Sequence, residues 1–312
     1  MAFRLRKWES VADGLRRLAR KELQSALTRL RRSETPSDEA VHEARKSIKK
    51  VRAITGVIDT DGGRGLGNSE KRLRAVNRTL SELRDADVML ETLTMLGRKY
   101  PDVLSEHTSA RIRRQLTAHK DELNRAAHAE STWKNVHRRL VALRRRAKRW
   151  RPRHRGFSAL ASGLRKTHRR GRRAQARARD RRRAADFHDW RKEIKALWYE
   201  LRLLEGSGAV VRRDARALHR AETSLGDDHN LVVLYAQLAG TVSVGRDVID
   251  MGRLQCAVGA LQRGLRDDAI ASVRAIYART PGEYIRRIRR AWNAWRRRTR
   301  ARRAVKPGRE AA

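Results

Sequence analysis

The sequence predicts an all-α fold, and three observations carry that expectation. Apolar residues recur with helical spacing along almost the whole chain, sustained strand-type alternation is missing, and proline occurs at only five positions that read as punctuation. Pro36, Pro101, Pro152 and Pro281 each precede a periodic segment, where a missing backbone N–H does no harm, and Pro307 lies in the tail. Helices are predicted at 1–32, 37–60, 68–98, 102–149 with a break near Ser131, 155–182, 185–205, 208–242, 247–279 and 282–302. Ser37 or Asp38 of the TPSD segment supplies an N-cap for the second, and GGRGLGNS (62–69) is a loop.

Charge is the first functional observation. Of 312 residues, 76 are Lys or Arg against 35 Asp or Glu, a net charge of +41. A compact chain so charged repels itself unless counter-ions or a polyanion offset the field, so a partner made of phosphate is implied, either nucleic acid or a similar polymer. One cysteine, Cys256, excludes an internal disulfide framework and a cysteine metal cluster; its apolar, small-residue setting (LQCAVGAL) predicts a core position. No apolar run approaches the ~20 residues that span a bilayer, and the amino terminus lacks a signal-type apolar stretch, so a soluble, cytoplasmic protein without a membrane role is expected.

The chain contains an internal repeat. VHEARKSIKKVRAITGVI (41–58) aligns without gaps on FHDWRKEIKALWYELRLL (187–204), and LSELRDADVML (80–90) aligns on LGDDHNLVVLY (225–235) at nearly the same offset. A period this long marks a duplicated unit, since solenoid repeats are ~20–50 residues. The division expected is 1–150 and 151–303, about four helices each, with 304–312 as a flexible basic tail.

On a helix, Val41, Ala44, Ile48, Val51, Thr55 and Ile58 form one apolar stripe, while His42, Arg45, Lys46, Lys49 and Arg52 take the opposite face. The second copy repeats this, with Phe187, Trp190, Ile194, Leu197 and Leu201 inward and His188, Arg191, Lys192, Lys195 and Arg202 outward. Solvated faces usually mix signs because like charges at i,i+4 repel; Arg45–Lys49 and Arg191–Lys195 are like-charged pairs in both copies. Two such ladders with a histidine at the same register point to phosphate oxygens. Neither ladder is expected to be needed for folding.

A helix beginning His-x-x-Arg-Lys-x-x-Lys, followed by Leu-x-x-x-Arg-Asp-x-Asp-Val, resembles the CHAD family, an α-helical domain named for its histidines. The resemblance extends over nearly the whole chain. It implies two four-helix bundles related by a pseudo-twofold with a basic groove or channel between them, binding of inorganic polyphosphate, and association with polyphosphate granules. Carried over, the binding set is His42, Arg45, Lys46, Lys49, Arg52, His188, Arg191, Lys192 and Lys195, with Arg84 and His229 from the downstream segments. In the second copy Ala196 and Trp198 replace Lys50 and Arg52, and Arg202 follows one turn on.

Other chemistries are weaker. Asp85 and Asp87, with Asn230 at the matching place, stand where one apolar periodicity gives way to the next, and are expected to cap a helix or hold a base. His188–Asp189 and Asp227–Asp228–His229 offer metal ligands, but the first pair is not repeated and hydrolytic sites need three or more converging groups, so neither a metal, another cofactor nor a catalytic residue is assigned. A metal-dependent phosphohydrolase is therefore the remote alternative. Non-specific nucleic-acid binding is the nearer one, through the Arg-rich segments 144–155 and 165–183 and the tail Arg296–Arg303; the linker 165–183 and the tail 296–309 are read as flexible cationic arms. Against it, the tryptophans mostly fall on apolar faces, whereas single-strand binding needs exposed stacking platforms. The oligomeric state is left open.

Overall fold

The computed structural model describes residues 3–30, 36–129, 132–241 and 251–304. Ten α-helices run in order: α1 (Val11–Leu30), α2 (Asp38–Thr60), α3 (Ser69–Lys99), α4 (Glu106–Ala129), α5 (Thr132–Arg146), α6 (Ser158–Arg181), α7 (Ala184–Arg202), α8 (Ala209–Thr241), α9 (Met251–Tyr277) and α10 (Pro281–Ala304). Five α-helices lie on each side of residue 150 among the described residues, where about four each were expected. Among the described residues the only extended pairing is one bridge, Arg64 with Arg151. The predicted break near Ser131 falls outside the described residues, as do the tail residues 305–312.

Local chemistry explains most boundaries. Ser37 caps α2 by accepting from the Ala40 N–H. Thr280 and Glu283 form a reciprocal capping box ahead of Pro281, each side chain accepting from the other residue's N–H. The first predicted helix starts ten residues late. Residues 3–10 instead cross the fold as a strap, with Phe3 and Leu5 buried and the Leu5 N–H donating to the Leu203 carbonyl. Helical periodicity in that segment marked a buried strap, and Ser10, which accepts from the Asp13 N–H, begins α1.

Two apolar cores form, and each draws on both sides of residue 150. The larger joins α1, α2, α5, α6, α7 and α10 with Leu73, Val76 and Leu80 of α3, Val211, Leu218 and Leu225 of α8, and Ala269, Val273 and Ile276 of α9. The smaller joins Met89, Leu93 and Leu96 of α3 with α4, and Leu231, Leu234 and Leu238 of α8 with Leu254 and Val258 of α9. Helices α3, α8 and α9 thus run from one core into the other. The two cores are far from symmetric in size, but the duplicated helices take matching places in them. The copies meet where α2 crosses α6: a Cβ on Gly163 would lie 3.2 Å from the Val57 Cα, so glycine permits this approach.

Two expectations are corrected here. Cys256 is exposed, because α9 turns Leu254, Ala257 and Val258 inward and leaves Cys256 off that stripe. The Arg-rich stretch 165–183 is no arm, nor is the described part of the tail, since residues 296–304 continue α10 and Arg296 donates to the Glu9 carbonyl. The former belongs to α6, whose His168, Ala174 and Ala178 are buried while Arg165, Arg169, Arg172 and Arg173 face solvent. Trp8 is also an exception to the buried tryptophans, at 68% exposure.

One buried acid on α7 makes a test of the packing. Glu200 accepts from Thr167 at 2.9 Å, its second oxygen has no partner, and burial pushes its carboxyl up to about 8. A carboxyl whose folded pKa is raised costs stability once the unfolded chain ionises. Stability contributed here therefore falls as pH rises from about 4.5 to about 8. Glu200→Gln should flatten that fall and raise the melting temperature at pH 8 more than at pH 5, as followed by circular dichroism.

Candidate functional site

The apolar stripes of α2 and α7 dictate the site. Val41, Ala44, Ile48 and Val51 on α2, and Phe187, Trp190, Ile194 and Leu197 on α7, are buried in the larger core, which turns the opposite faces of the two helices toward each other and toward α3 and α8. The result is a cleft of about 680 Å³. His42, Arg45, Lys46 and Lys49 line one wall, His188, Arg191, Lys192 and Lys195 the other, and His229 joins them from α8. Nine of the twelve predicted residues thus meet in one place, across a sequence separation of about 146 residues.

Three predicted residues are placed elsewhere. Arg52 pairs with Glu70 at 3.1 Å, one helical turn beyond the cleft. Arg202 lies over the Phe3 and Trp198 rings, held by the strap that sequence periodicity misread as helix. Arg84 belongs to α3, and its side chain lies outside the described residues. Conversely, Asn77, Ser81, Glu222 and Gly226 line the cleft and were not foreseen. The 145-residue offset that aligns the second pair of segments also pairs Asn77 with Glu222 and Ser81 with Gly226, and that register was the signal for them.

Electrostatically the walls differ. Glu222 forms an ion pair with Lys195 and lies 3.4 Å from Arg191, and these cations hold its carboxyl below the usual range. Lys49 has no carboxylate within ion-pair distance among the described residues. Burial, and then the charges of Lys195, Arg45 and Arg191, bring its ammonium down to about 7, with Glu222 opposing. At the rim, Lys46 pairs with Glu43 at 2.7 Å and Lys192 with Asp189 at 3.0 Å, both from their own helices. The ladders are therefore half-buried and partly neutralised, and the Glu222 pairing ties Lys195 to the packing in a way that no ion pair among the described residues ties Lys49.

Histidine behaves differently from its usual pH range. His188 lies 4.1 Å, ring to ring, from His229. Burial, with His229 and Lys192 beside it, lowers its pKa to about 4, so it stays neutral at physiological pH and offers an N–H rather than a charge. Its Nδ1, the Arg191 Nε and the Asn77 side-chain oxygen are buried without a hydrogen-bond partner around this one cleft. Buried polar atoms are normally satisfied, so these three are groups that a partner entering the cleft can engage.

The RDAD segment shows no helix start, since α3 runs unbroken through it. Asp87 instead pairs with Lys120 of α4 at 2.5 Å, and Asp228 pairs with Arg266 of α9 at 2.8 Å. Both acids sit where their helix passes from the larger core to the smaller, clamping the neighbouring helix. Among the described residues no three His, Cys, Asp or Glu side chains converge as metal ligands, and no helix is long and apolar enough to cross a membrane.

Against known proteins, a family model described as CHAD domain matches residues 15–239. Among solved structures the chain is similar to PptA from Streptomyces chartreusis, at 17% identity and a TM-score of 0.58, over 91% of this chain and all of that one. No curated protein matches.

The unequal walls are open to a direct test. Lys195→Glu sets a second carboxylate against buried Glu222 and should lower stability by about 3–5 kcal/mol, the cost of breaking a buried pair. Lys49→Glu places a carboxylate among Arg45, Arg191 and Lys195 and should leave the melting temperature unchanged or raised. Thermal melts of the two variants side by side decide it.

Proposed function

The chain belongs to the CHAD domain family, and on that premise we propose that it binds inorganic polyphosphate in the α2–α7 cleft, without catalysis, and acts at polyphosphate granules. One observation carries the reading: two cation rows from duplicated helices face each other across a single cleft closely enough for Lys195 to lower the pKa of Lys49. Six Lys and Arg side chains line it against Glu222 and Asp227, a surplus that a chain of phosphates offsets. Arg supplies planar forks, Lys point charges, and neutral His188 a donor without charge repulsion. The Arg84 and Arg202 contacts that the family resemblance implied are secondary to the cleft in this reading. The two halves act as a pseudo-twofold pair in which each helix copy contributes one wall.

A second reading keeps one observation on its side. The solvent face of α6 carries Arg165, Lys166, Arg169, Arg170, Arg172 and Arg173, all exposed, which suits any polyanion including nucleic acid. This face should add affinity without preference. Long-chain polyphosphate competed against duplex DNA at equal phosphate concentration should win. Its log affinity should fall steeply with log salt, because a polymer releases many counter-ions. Lys49→Glu should weaken polyphosphate binding about tenfold or more and DNA binding little. Equal loss for both polymers would shift the function to the exposed face.

The Lys49 ammonium also sets a pH dependence. Lys195 and Arg191 of α7, Arg45 of α2 and Glu222 of α8 face it. A bound polyanion favours its charged form, so binding takes up protons above about pH 7. Affinity should fall between about pH 7 and pH 9, above the ordinary histidine range, and Lys49→Arg should remove that fall. Calorimetry in buffers of different ionisation enthalpy reads the proton uptake.

A further inference from the structure

The two walls carry the same cations at the same register, but their counter-charges differ. Arg45 and Arg191 correspond, and so do the positions they meet: Arg45 donates to Ser81 at 3.0 Å, while the Arg191 guanidinium lies against Gly226, where a Cβ would stand 3.0 Å away. Ser81 and Gly226 are 145 residues apart, so the sequence register holds in space. One turn earlier on the same helices stand Asn77 and Glu222. Glu222 reaches Lys195 and Arg191. Its counterpart Asn77 carries no charge, its side-chain oxygen is buried without a partner, and among the described residues Lys49 has no carboxylate within ion-pair distance, Glu222 acting on it only from farther off.

A carboxylate and a phosphate present the same kind of oxygen acceptor to ammonium and guanidinium groups. We propose that the cleft holds two phosphate subsites of unequal occupancy: an open one at Lys49 and Asn77, and one at Lys195 and Arg191 that the chain's own Glu222 fills. A polyphosphate chain engages the Asn77 side first and takes the second subsite by displacing the Glu222 carboxylate. At the open subsite the Asn77 amide, turned by half a rotation, presents two N–H donors to phosphate oxygens. At the filled subsite Glu222 keeps two half-buried cations compensated while the cleft is empty, which sets a threshold against small anions. A single phosphate satisfies only the open side, whereas a polymer brings enough charge to exchange Glu222 out.

This inference rests on the polyphosphate reading, and its test separates the two. Pyrophosphate is the probe, titrated calorimetrically at physiological salt into the full chain, Glu222→Gln and Asn77→Glu, with long-chain polyphosphate in parallel. Glu222→Gln should tighten pyrophosphate binding about tenfold, the worth of one charge-assisted contact released to the ligand. Asn77→Glu should weaken it by a similar factor while raising the melting temperature, because it gives Lys49 the carboxylate that Lys195 already has. Should Glu222→Gln fail to fold, Asn77→Glu decides alone. Unchanged or weaker binding in Glu222→Gln, or unchanged binding in a folded Asn77→Glu, overturns the unequal subsites. Pyrophosphate that binds none of the three chains also overturns them, with the family reading surviving if long polyphosphate still binds. Failure of both ligands brings down both readings.

Discussion

Repulsion between like charges at close range is the constraint on which this structure turns. Lys49 and Lys195 face each other in a half-buried cleft, with Arg45 and Arg191 beside them. Left to itself such a cluster would open, because burial and mutual repulsion both disfavour the charged forms. The fold holds it closed by the apolar faces on the other side of the same helices. Ile48 and Val51, Ile194 and Leu197 are fully buried, and each helix can satisfy its stripe only by turning its cations inward to the shared cleft. Glu222 then removes part of the cost on one wall, and the lowered pKa of Lys49 records the part that stays on the other.

The second consequence is architectural. Because the cation faces must converge, the two sequence copies cannot be separate bodies with separate cores. The larger core takes helices from both, and the long helices α3, α8 and α9 carry both copies into the smaller one. Asp87 and Asp228 act at that passage, each clamping the following helix through Lys120 or Arg266. A charge-assisted contact in a half-buried place is worth more than one at the surface, which explains acids in a chain so short of them. It is a division of labour visible in pairs of residues: the acids at the helix passages hold neighbouring helices, Glu222 compensates cations of the cleft, and the cations left over on α6 face solvent.

The residues that could be read directly were those whose role depends on their own helix. Helical periodicity places apolar stripes and cation faces on opposite sides, so the ladders of α2 and α7 were legible, as was the Ser37 cap. Errors arose where periodicity was satisfied by something other than a helix or by a different neighbour. Phe3 and Leu5 bury as a strap and Cys256 sits on the wrong side of α9, whereas Asp87 takes the second of the two roles expected of it, holding the base Lys120 rather than capping a helix. Arg52 and Arg202 share the face of the ladders, but Glu70 and the aromatic side chains of the strap and α7 claim them first.

The sequence by itself determined the all-α class, the duplication and which face of each repeated helix is cationic, because these follow from spacing within one helix and similarity between two. Tertiary structure alone decided that the two faces meet, that Lys49 lacks and Lys195 has a carboxylate, and that His188 is neutral. Those properties depend on which side chains from α3 and α8 arrive in the cleft and how much water they exclude. Desolvation and Coulomb interaction act through space over a few ångströms, and no spacing along one chain reports that distance.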